Sequence, residues 1–477
     1  MESIWRKTHE RKKNPALEGE METEAVVIGG GMAGILTAWH LQQAGISVVL
    51  LEAGQIGGGQ TKNTTAKITS QHGMFCREFI EKKGENAAGK YVEANQAAVE
   101  EYKRIVKQKS IACDFVECDA YVYSKDGEKL RQETEAARKL GVNASFEKEL
   151  EIPEDCAGAV RFPGQARFHP LKFIEALAEE LTIYEDTPVK KVDEHLILTN
   201  CARVKAGKII FATHFPFIDF PGMYFARMHQ ERSYVLALEN AGSLEGMYIG
   251  EGKDTLSFRQ YDKYILLGGQ AHRTGENREG GRYAKLKEEA ARLYPGSTVA
   301  AQWSAQDCIT ADGIPFIGQY ASDRPDWFVA SGFQKWGMSS SMVSAMILTD
   351  LICGRENPYA EIFAPGRFSS EELPQIMKDG GKAIKGLAKR FFQLPKETAE
   401  GLQRGQGAVV ETPQGKAGVY KTEENTICQV DTVCPHMGCE LSWNPDERSW
   451  DCPCHGSRFD CRGNLLNGPA QEGIHHE

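Results

Sequence analysis

Residues 25–34, AVVIGGGMAG, carry a short apolar run straight into closely spaced glycines, and few chain geometries accept that join. Ala25–Gly29 reads as a buried parallel strand, and the MAGILTAWHLQQAG that follows has apolar residues at helical spacing. Gly29, Gly31 and Gly34 form GxGxxG at the turn, and ISVVLLEAG supplies a second strand ending at Glu52. Strand, glycine turn, helix, strand and terminal acid in this order predict a βαβ unit that takes an ADP-containing dinucleotide. The glycines permit the tight turn, the approach of a pyrophosphate and close helix–strand packing, while the helix N-terminus offers free N–H groups. Glu52 is placed to accept hydrogen bonds from an adenosine ribose. A lone GxGxxG is weak evidence; its full βαβ context makes it strong.

With 477 residues the chain is long enough for about three domain-sized units. Its 48 glycines exceed the usual ~7%, as tight turns and close backbone approach require. A net charge of −10 disfavours nucleic acid as a partner. The basic N-terminus has no apolar h-region, and no run reaches the ~18 apolar residues that a membrane span needs. A cytoplasmic protein without an integral membrane segment is therefore expected. Seven of the 13 cysteines are scattered between Cys76 and Cys353, whereas six fall between Cys428 and Cys461. That second group needs a chemical explanation.

After Glu52, the Gly/Thr-rich AGQIGGGQTKNTTAKITSQHG, which includes Thr61, suits wrapping the second half of a larger ligand. The front of the chain resembles the FAD-binding N-terminus of the D-amino-acid oxidase/glycine oxidase family. TPVKKV (187–192), with Val189, and KIIFATHFPF (208–217) match the family's adenine-side strands. WSAQDCITADGIPFIG (303–318) and WFVASGFQKWGMSSSMVSAMILTDLICG (327–354) match its closing pair. The resemblance implies that Gly332, Trp336, Gly337 and Met338 border the flavin, with a helix N-terminus facing the pyrimidine carbonyls. Between these pieces, ENAAGKYVEANQAAVEEYKRIVKQ (85–108) reads as an amphipathic helix. YVLALE (234–239), TLSFRQY (255–261) and KYILLGG (263–269) read as strands, which by analogy roof the flavin.

Three departures from the family pattern bear on the chemistry. Asp307 stands where glycine-oxidase-like members place an Arg for a substrate carboxylate, which favours a cationic amine. Gly268, four residues before His272, replaces the Lys that helps oxygen react in sarcosine-oxidase-like members, which disfavours an oxidase. Asn63 replaces the His of covalent-flavin members and Cys308 is offset by three from their Cys, so FAD is expected to be non-covalent. Asp307, Lys335, His272 and Arg259 are the candidate catalytic residues.

Residues 376–397, IMKDGGKAIKGLAKRFFQLPKE, read as a basic helical linker, docked on its own protein in preference to a membrane. Short strands follow, then CPHMGC (434–439) and, beyond the hairpin-like ELSWNPDERSWD, CPCHGS (452–457). Two Cys and two His could satisfy tetrahedral zinc. Yet CxH is tight for zinc, and zinc leaves Cys439 and Cys454 unexplained. The pattern closely resembles the Rieske [2Fe–2S] family. That resemblance implies Cys434 and Cys452 on one iron, His436 and His455 on the other, and a Cys439–Cys454 disulfide joining the two loops. Cys428 and Cys461 fall outside the pattern as free thiols. Ser457 matches a family position whose hydroxyl bonds a bridging sulfide, and Phe459 stands where high-potential members have Tyr, so an intermediate potential is expected. LLNGPA (465–470) matches the loop that shields the cluster.

The expected fold is an α/β FAD-binding Rossmann-like domain with an interleaved α+β substrate domain, plus a small all-β Rieske domain. Its expected divisions are an N-terminal extension (1–22), the flavin portion (23–365), the linker (366–395) and the Rieske domain (396–477). The layout resembles bacterial FAD-dependent oxidoreductases with a C-terminal Rieske domain. It implies oxidation of a small amine-type substrate, with electrons passing from FAD through the cluster to an unidentified one-electron acceptor. The alternative is an oxygen-using amine or amino-acid oxidase whose Rieske domain is structural or redox-sensing.

Overall fold

The apolar run that opens the glycine fingerprint becomes the central strand of a parallel sheet. In a computed structural model, which describes residues 2–252, 254–367, 401–413 and 415–475 with Met377 and Gly381, this strand is Gly19–Ile28. It pairs in parallel with Val48–Leu51 on one side and Ala202–Phe211 on the other. Thr182–Tyr184 and Arg324–Ser331 extend the parallel array outward. The inner residues Ala25–Ile28 are buried on both faces, as a parallel sheet covered by helices demands. Met32–Gln43 and Gly337–Ile352 pack together against it, burying Ile35, Leu36, Met342 and Val343 in one apolar core.

A nine-stranded mixed sheet forms the second layer. The expected strands are present within it as Met228–Glu239, Ser257–Tyr261 and Tyr264–Arg273, joined by Thr298–Thr310. The expected amphipathic helix runs Glu85–Lys109. Its buried Tyr91, Val92, Val99 and Tyr102 follow the helical period.

The N-terminal segment departs from the expected separate extension. The first strand begins at Gly19 because Gly19–Thr23 pair with Ala202–Ala206. Upstream, Trp5 is fully buried and its indole N–H donates to Thr64 O at 2.7 Å. The extension thus braces the loop that follows the glycine fingerprint. The expected linker helix lies almost wholly in 368–400, outside the described residues. Among the described residues, no helix is long and apolar enough to cross a membrane.

The C-terminal unit contains a three-stranded and a four-stranded antiparallel sheet. Trp443, Trp450, Phe459 and Tyr420 form its core beside Cys434 and Cys452.

Trp5→Ala should lower holoprotein stability by about 3–5 kcal/mol, the usual cost of emptying a buried aromatic site. Denaturant unfolding followed by tryptophan and flavin fluorescence measures this; a loss below about 1 kcal/mol would show that the N-terminal segment braces nothing.

Candidate functional site: a flavin cavity beside an iron–sulfur centre

The glycine turn is fixed by sterics. Gly29 has φ +109°, and a Cβ there would lie 2.5 Å from Ala212 O. A Cβ on Gly34 would lie 1.8 Å from Gly29 O, so only glycine lets the helix start against the strand. Gly31 faces Thr61, whose hydroxyl oxygen accepts the Met32 N–H at 2.9 Å. Glu52 accepts from the N–H groups of Gly30 (2.6 Å) and Gly54 (2.8 Å), and burial raises its carboxyl above the usual value despite these bonds. Gly29, Gly31, Glu52, Thr61 and Val189 all line one cavity of about 2060 Å³.

Trp336, Gly337 and Met338 line the same cavity at the start of the helix Gly337–Ile352. Trp336 stacks on buried His72 with ring centroids 4.8 Å apart. Gly332 is not part of the wall: φ is +71° and a Cβ would meet Thr310 Cγ2 at 2.4 Å, so this glycine serves the turn. His214, which the sequence reading did not single out, lines the cavity and has a buried Nε2 without a protein partner. Asn63 also lies on the wall and offers no nucleophile, while Cys308 is buried behind it against His214 O. A glycine-lined turn, a terminal carboxylate and an orphaned imidazole nitrogen around one large cavity fit FAD.

At the roof, Asp307 and Glu231 are directly opposed across adjacent strands, and both reach the cavity. Lys335 pairs with Glu231 at 3.2 Å. Glu231 is held down at about 2, first by His229, whose Nε2 lies 3.7 Å from its carboxylate, and then by Lys335, which together outweigh burial. Burial pushes Asp307 up to about 7; Lys335 pulls it down and Glu231 pushes it further up. His272 also reaches the cavity. Its Nδ1 sits 2.8 Å from Arg273 O and therefore carries the proton, leaving Nε2 to accept from Tyr234 OH at 3.0 Å.

Arg259 corrects the sequence expectation. It lies outside the cavity wall, and its guanidinium donates to Ala66 O (2.7 Å) and Phe168 O (3.3 Å) and faces the Trp5 ring. It holds the loop beneath the cavity in place of any substrate. Lys67, which the sequence did not single out, does line the cavity; its ammonium donates to Ser257 Oγ at 3.0 Å, and burial lowers it to about 7.

Two matching loops build the second centre. In each, a glycine N–H returns to the carbonyl of the cysteine four residues earlier: Gly438 to Cys434 at 2.9 Å, Gly456 to Cys452 at 3.0 Å. Cys439 and Cys454 form a disulfide between the loops. Although the sulfurs of Cys439, Cys452 and Cys454 are mutually close, the disulfide uses two of them. Cys452 is left facing Cys434 within hydrogen-bond range. The rings of His436 and His455 are perpendicular with centroids 4.9 Å apart, and both Nδ1 atoms are buried without a partner. Two paired thiols and two orphaned imidazole nitrogens fit a [2Fe–2S] cluster. Cys428 and Cys461 are half-buried free thiols. Ser457 accepts the Ala470 N–H at 3.0 Å, and Phe459 is fully buried.

The two centres adjoin. Gln230 donates to His455 O at 2.6 Å, and its strand neighbours His229 and Glu231 line the flavin cavity. His436 Nε2–H donates to Asp219 of the flavin portion at 2.9 Å. Residues 465–471 of the C-terminal unit complete the cavity wall.

The profile of the FAD dependent oxidoreductase family matches residues 24–351. The chain belongs to this family. The Rieske [2Fe–2S] domain profile matches residues 394–476. YhfW of Bacillus subtilis (strain 168), whose name describes a Rieske 2Fe-2S iron-sulfur protein, is 38% identical over 488 residues, covering 98% of this chain and 96% of the relative. Glycine oxidase from Geobacillus kaustophilus shares the flavin fold with a TM-score of 0.63 at 18% identity, over 73% of this chain and 100% of that one. L-proline dehydrogenase from P. horikoshii gives 0.60 at 18% identity, over 73% and 98%. The protein is an oxidoreductase that binds FAD and a Rieske [2Fe–2S] cluster.

Gly34→Ala should purify with its cluster absorbance intact and most of its flavin missing, because the added methyl closes the turn that holds the pyrophosphate. Full flavin content, measured as flavin per cluster, would contradict that reading of the turn.

Proposed function

We propose that the protein oxidises a small amine-type substrate at FAD and passes the electrons through the Rieske cluster to an external one-electron acceptor. The observation that carries this reading is the shared strand: His229 and Glu231 face the flavin cavity while Gln230 between them holds the His455 loop. When bound, FAD supplies a two-electron acceptor for the substrate and the cluster a one-electron carrier.

The cavity roof supports a cationic substrate. Asp307 and Glu231 present two carboxyls in register; Lys335 pairs with Glu231 at 3.2 Å, and His229 Nε2 lies 3.7 Å from it. Glu231 stays charged across the physiological range, and Asp307 adds a second charge as it ionises near 7. Lys335 and His229 hold Glu231, leaving Asp307 to orient an ammonium group. His272, kept neutral by burial, is a further polar group on the wall. Ser457 with a hydroxyl-free Phe459 supports an intermediate cluster potential; a value at the top of the roughly −150 to +300 mV range would contradict it. FAD is read as non-covalent, since Asn63 is the residue facing the cavity. The many free thiols, exposed Cys201 among them, suit a reducing compartment such as the cytoplasm.

Anaerobic titration of the holoprotein with primary, secondary and N-methyl amines and with amino acids tests the reading. Flavin bleaching by amines, followed by reduction of the cluster band, is expected. A cluster that stays oxidised beside a reduced flavin would instead leave the oxygen-using alternative, and reduction by carboxylate-bearing substrates alone would overturn the role given to Asp307.

The carboxyl of Asp307 is uncharged below about 7 and attracts ammonium above it. Amine affinity should therefore rise as pH passes through that region, and Asp307→Asn should flatten the rise; an unchanged profile in the variant would remove Asp307 from substrate binding.

A further inference from the structure

The seam between the flavin portion and the Rieske domain is built like the interior of one domain. Its central charge is Arg232, 2% exposed, on the shared strand. Among the described residues its carboxylate partner is Glu447, at 2.9 Å, in the turn between the Rieske strands Ser442–Asn444 and Ser449–Asp451. Glu447 also accepts from Ser304 Oγ (2.7 Å), Tyr283 OH (3.0 Å) and Arg458 (3.3 Å). Burial opposes its charge, yet the two guanidiniums and the hydroxyls hold its carboxyl below the usual value. Withdrawing the Rieske domain would take this anion from Arg232.

Asp446 provides a second tie. The 12-residue helix Arg282–Leu293 starts at Gly281, which has no side chain to cap it. Asp446 accepts from Gly281 N at 3.2 Å and Arg282 N at 3.0 Å, and Asn277 Nδ2 donates to it at 2.9 Å. A helix of the flavin portion therefore takes its N-terminal anion from the other domain. Two glycines also mark close approach: a Cβ on Gly456 would lie 2.7 Å from the Gln230 side chain, and one on Gly275 would lie 2.6 Å from Pro453 Cα.

Gln230 is buried in the seam. Its amide donates to His455 O (2.6 Å) and Gly468 O (3.2 Å), and its carbonyl accepts from Gln306, which also donates to Gly456 O at 2.8 Å. Two glutamines on two paired strands thus hold two of the loops around the cluster.

We propose that the Rieske domain stays docked throughout turnover, with Gln230 as the positioning residue that holds the His455 loop one strand away from the flavin cavity. This rests on the relay reading above. Reduced flavin gives its two electrons to the cluster one at a time and its proton to water. The cluster returns to its oxidised form by passing each electron to a one-electron oxidant that comes to it.

A disulfide across the seam tests the dock. A Cβ on Gly280 would lie 3.4 Å from Pro445 Cβ, close to the ~3.5–4.5 Å of disulfides. Holoprotein carrying Gly280→Cys and Pro445→Cys should oxidise to a bridged form. Ferricyanide should then re-oxidise the cluster of that form, photoreduced with EDTA, as fast as in the thiol form. Failure of the pair to bridge, or roughly tenfold slowing once bridged, would overturn permanent docking.

For Gln230→Leu, checked for one flavin and one cluster per chain, flavin photoreduction should be unchanged and flavin-to-cluster transfer slowed about tenfold. Unchanged transfer would remove Gln230 from positioning. A wild-type cluster that never accepts electrons from reduced flavin, with bridging intact, would sink the relay and leave the dock standing.

Discussion

The alternation of side chains along one β-strand, Met228–Glu239, organises the whole molecule. Successive side chains on a strand point to opposite faces, so His229 and Glu231 enter the flavin cavity while Gln230 and Arg232 enter the domain seam. No linker or mobile segment needs to measure the spacing between the two cofactor sites; the thickness of a strand does so. The strand is pinned by Thr298–Thr310 on one side and Tyr264–Arg273 on the other, and both contribute to the cavity wall.

Burial gives the two sites opposite electrostatic tasks. In the flavin cavity it leaves Asp307 poised near neutrality while Glu231, tied to His229 and Lys335, remains charged. In the seam it makes the Arg232–Glu447 contact dependent on both domains being in place. At the cluster it leaves two imidazole nitrogens without a protein partner beside two facing thiols, a donor set that fits a metal centre.

Much of this was legible in the sequence because it is local. The glycine fingerprint encodes its own turn, since Gly29 and Gly34 exclude any side chain through contacts with Ala212 and with each other. The cluster ligands sit on two short loops whose composition announces them. What was not legible depends on distant pairing. Asp446 and Glu447 belong to a stretch that reads only as hairpin-like, yet they cap a helix and neutralise a buried arginine more than 160 positions away. Asp219 and Gln230 carry no motif, and only the docked fold brings them to His436 and His455. Arg259 lies on the same strand as cavity-lining Ser257, two residues on, but the Thr65–Ala66 loop intervenes and takes its hydrogen bonds. Lys67 was missed for the converse reason: an isolated lysine in TAKIT looks like a surface residue until the sheet closes over it.

The proposed exchange of electrons between flavin and cluster runs inside one chain, across a single strand. Rapid photoreduction of the flavin, followed by the rise of the reduced-cluster signal at several protein concentrations, tests it most directly. A first-order rise whose rate stays the same on dilution is expected. A rate that falls in proportion to concentration, or a cluster that is not reduced at all, would contradict it.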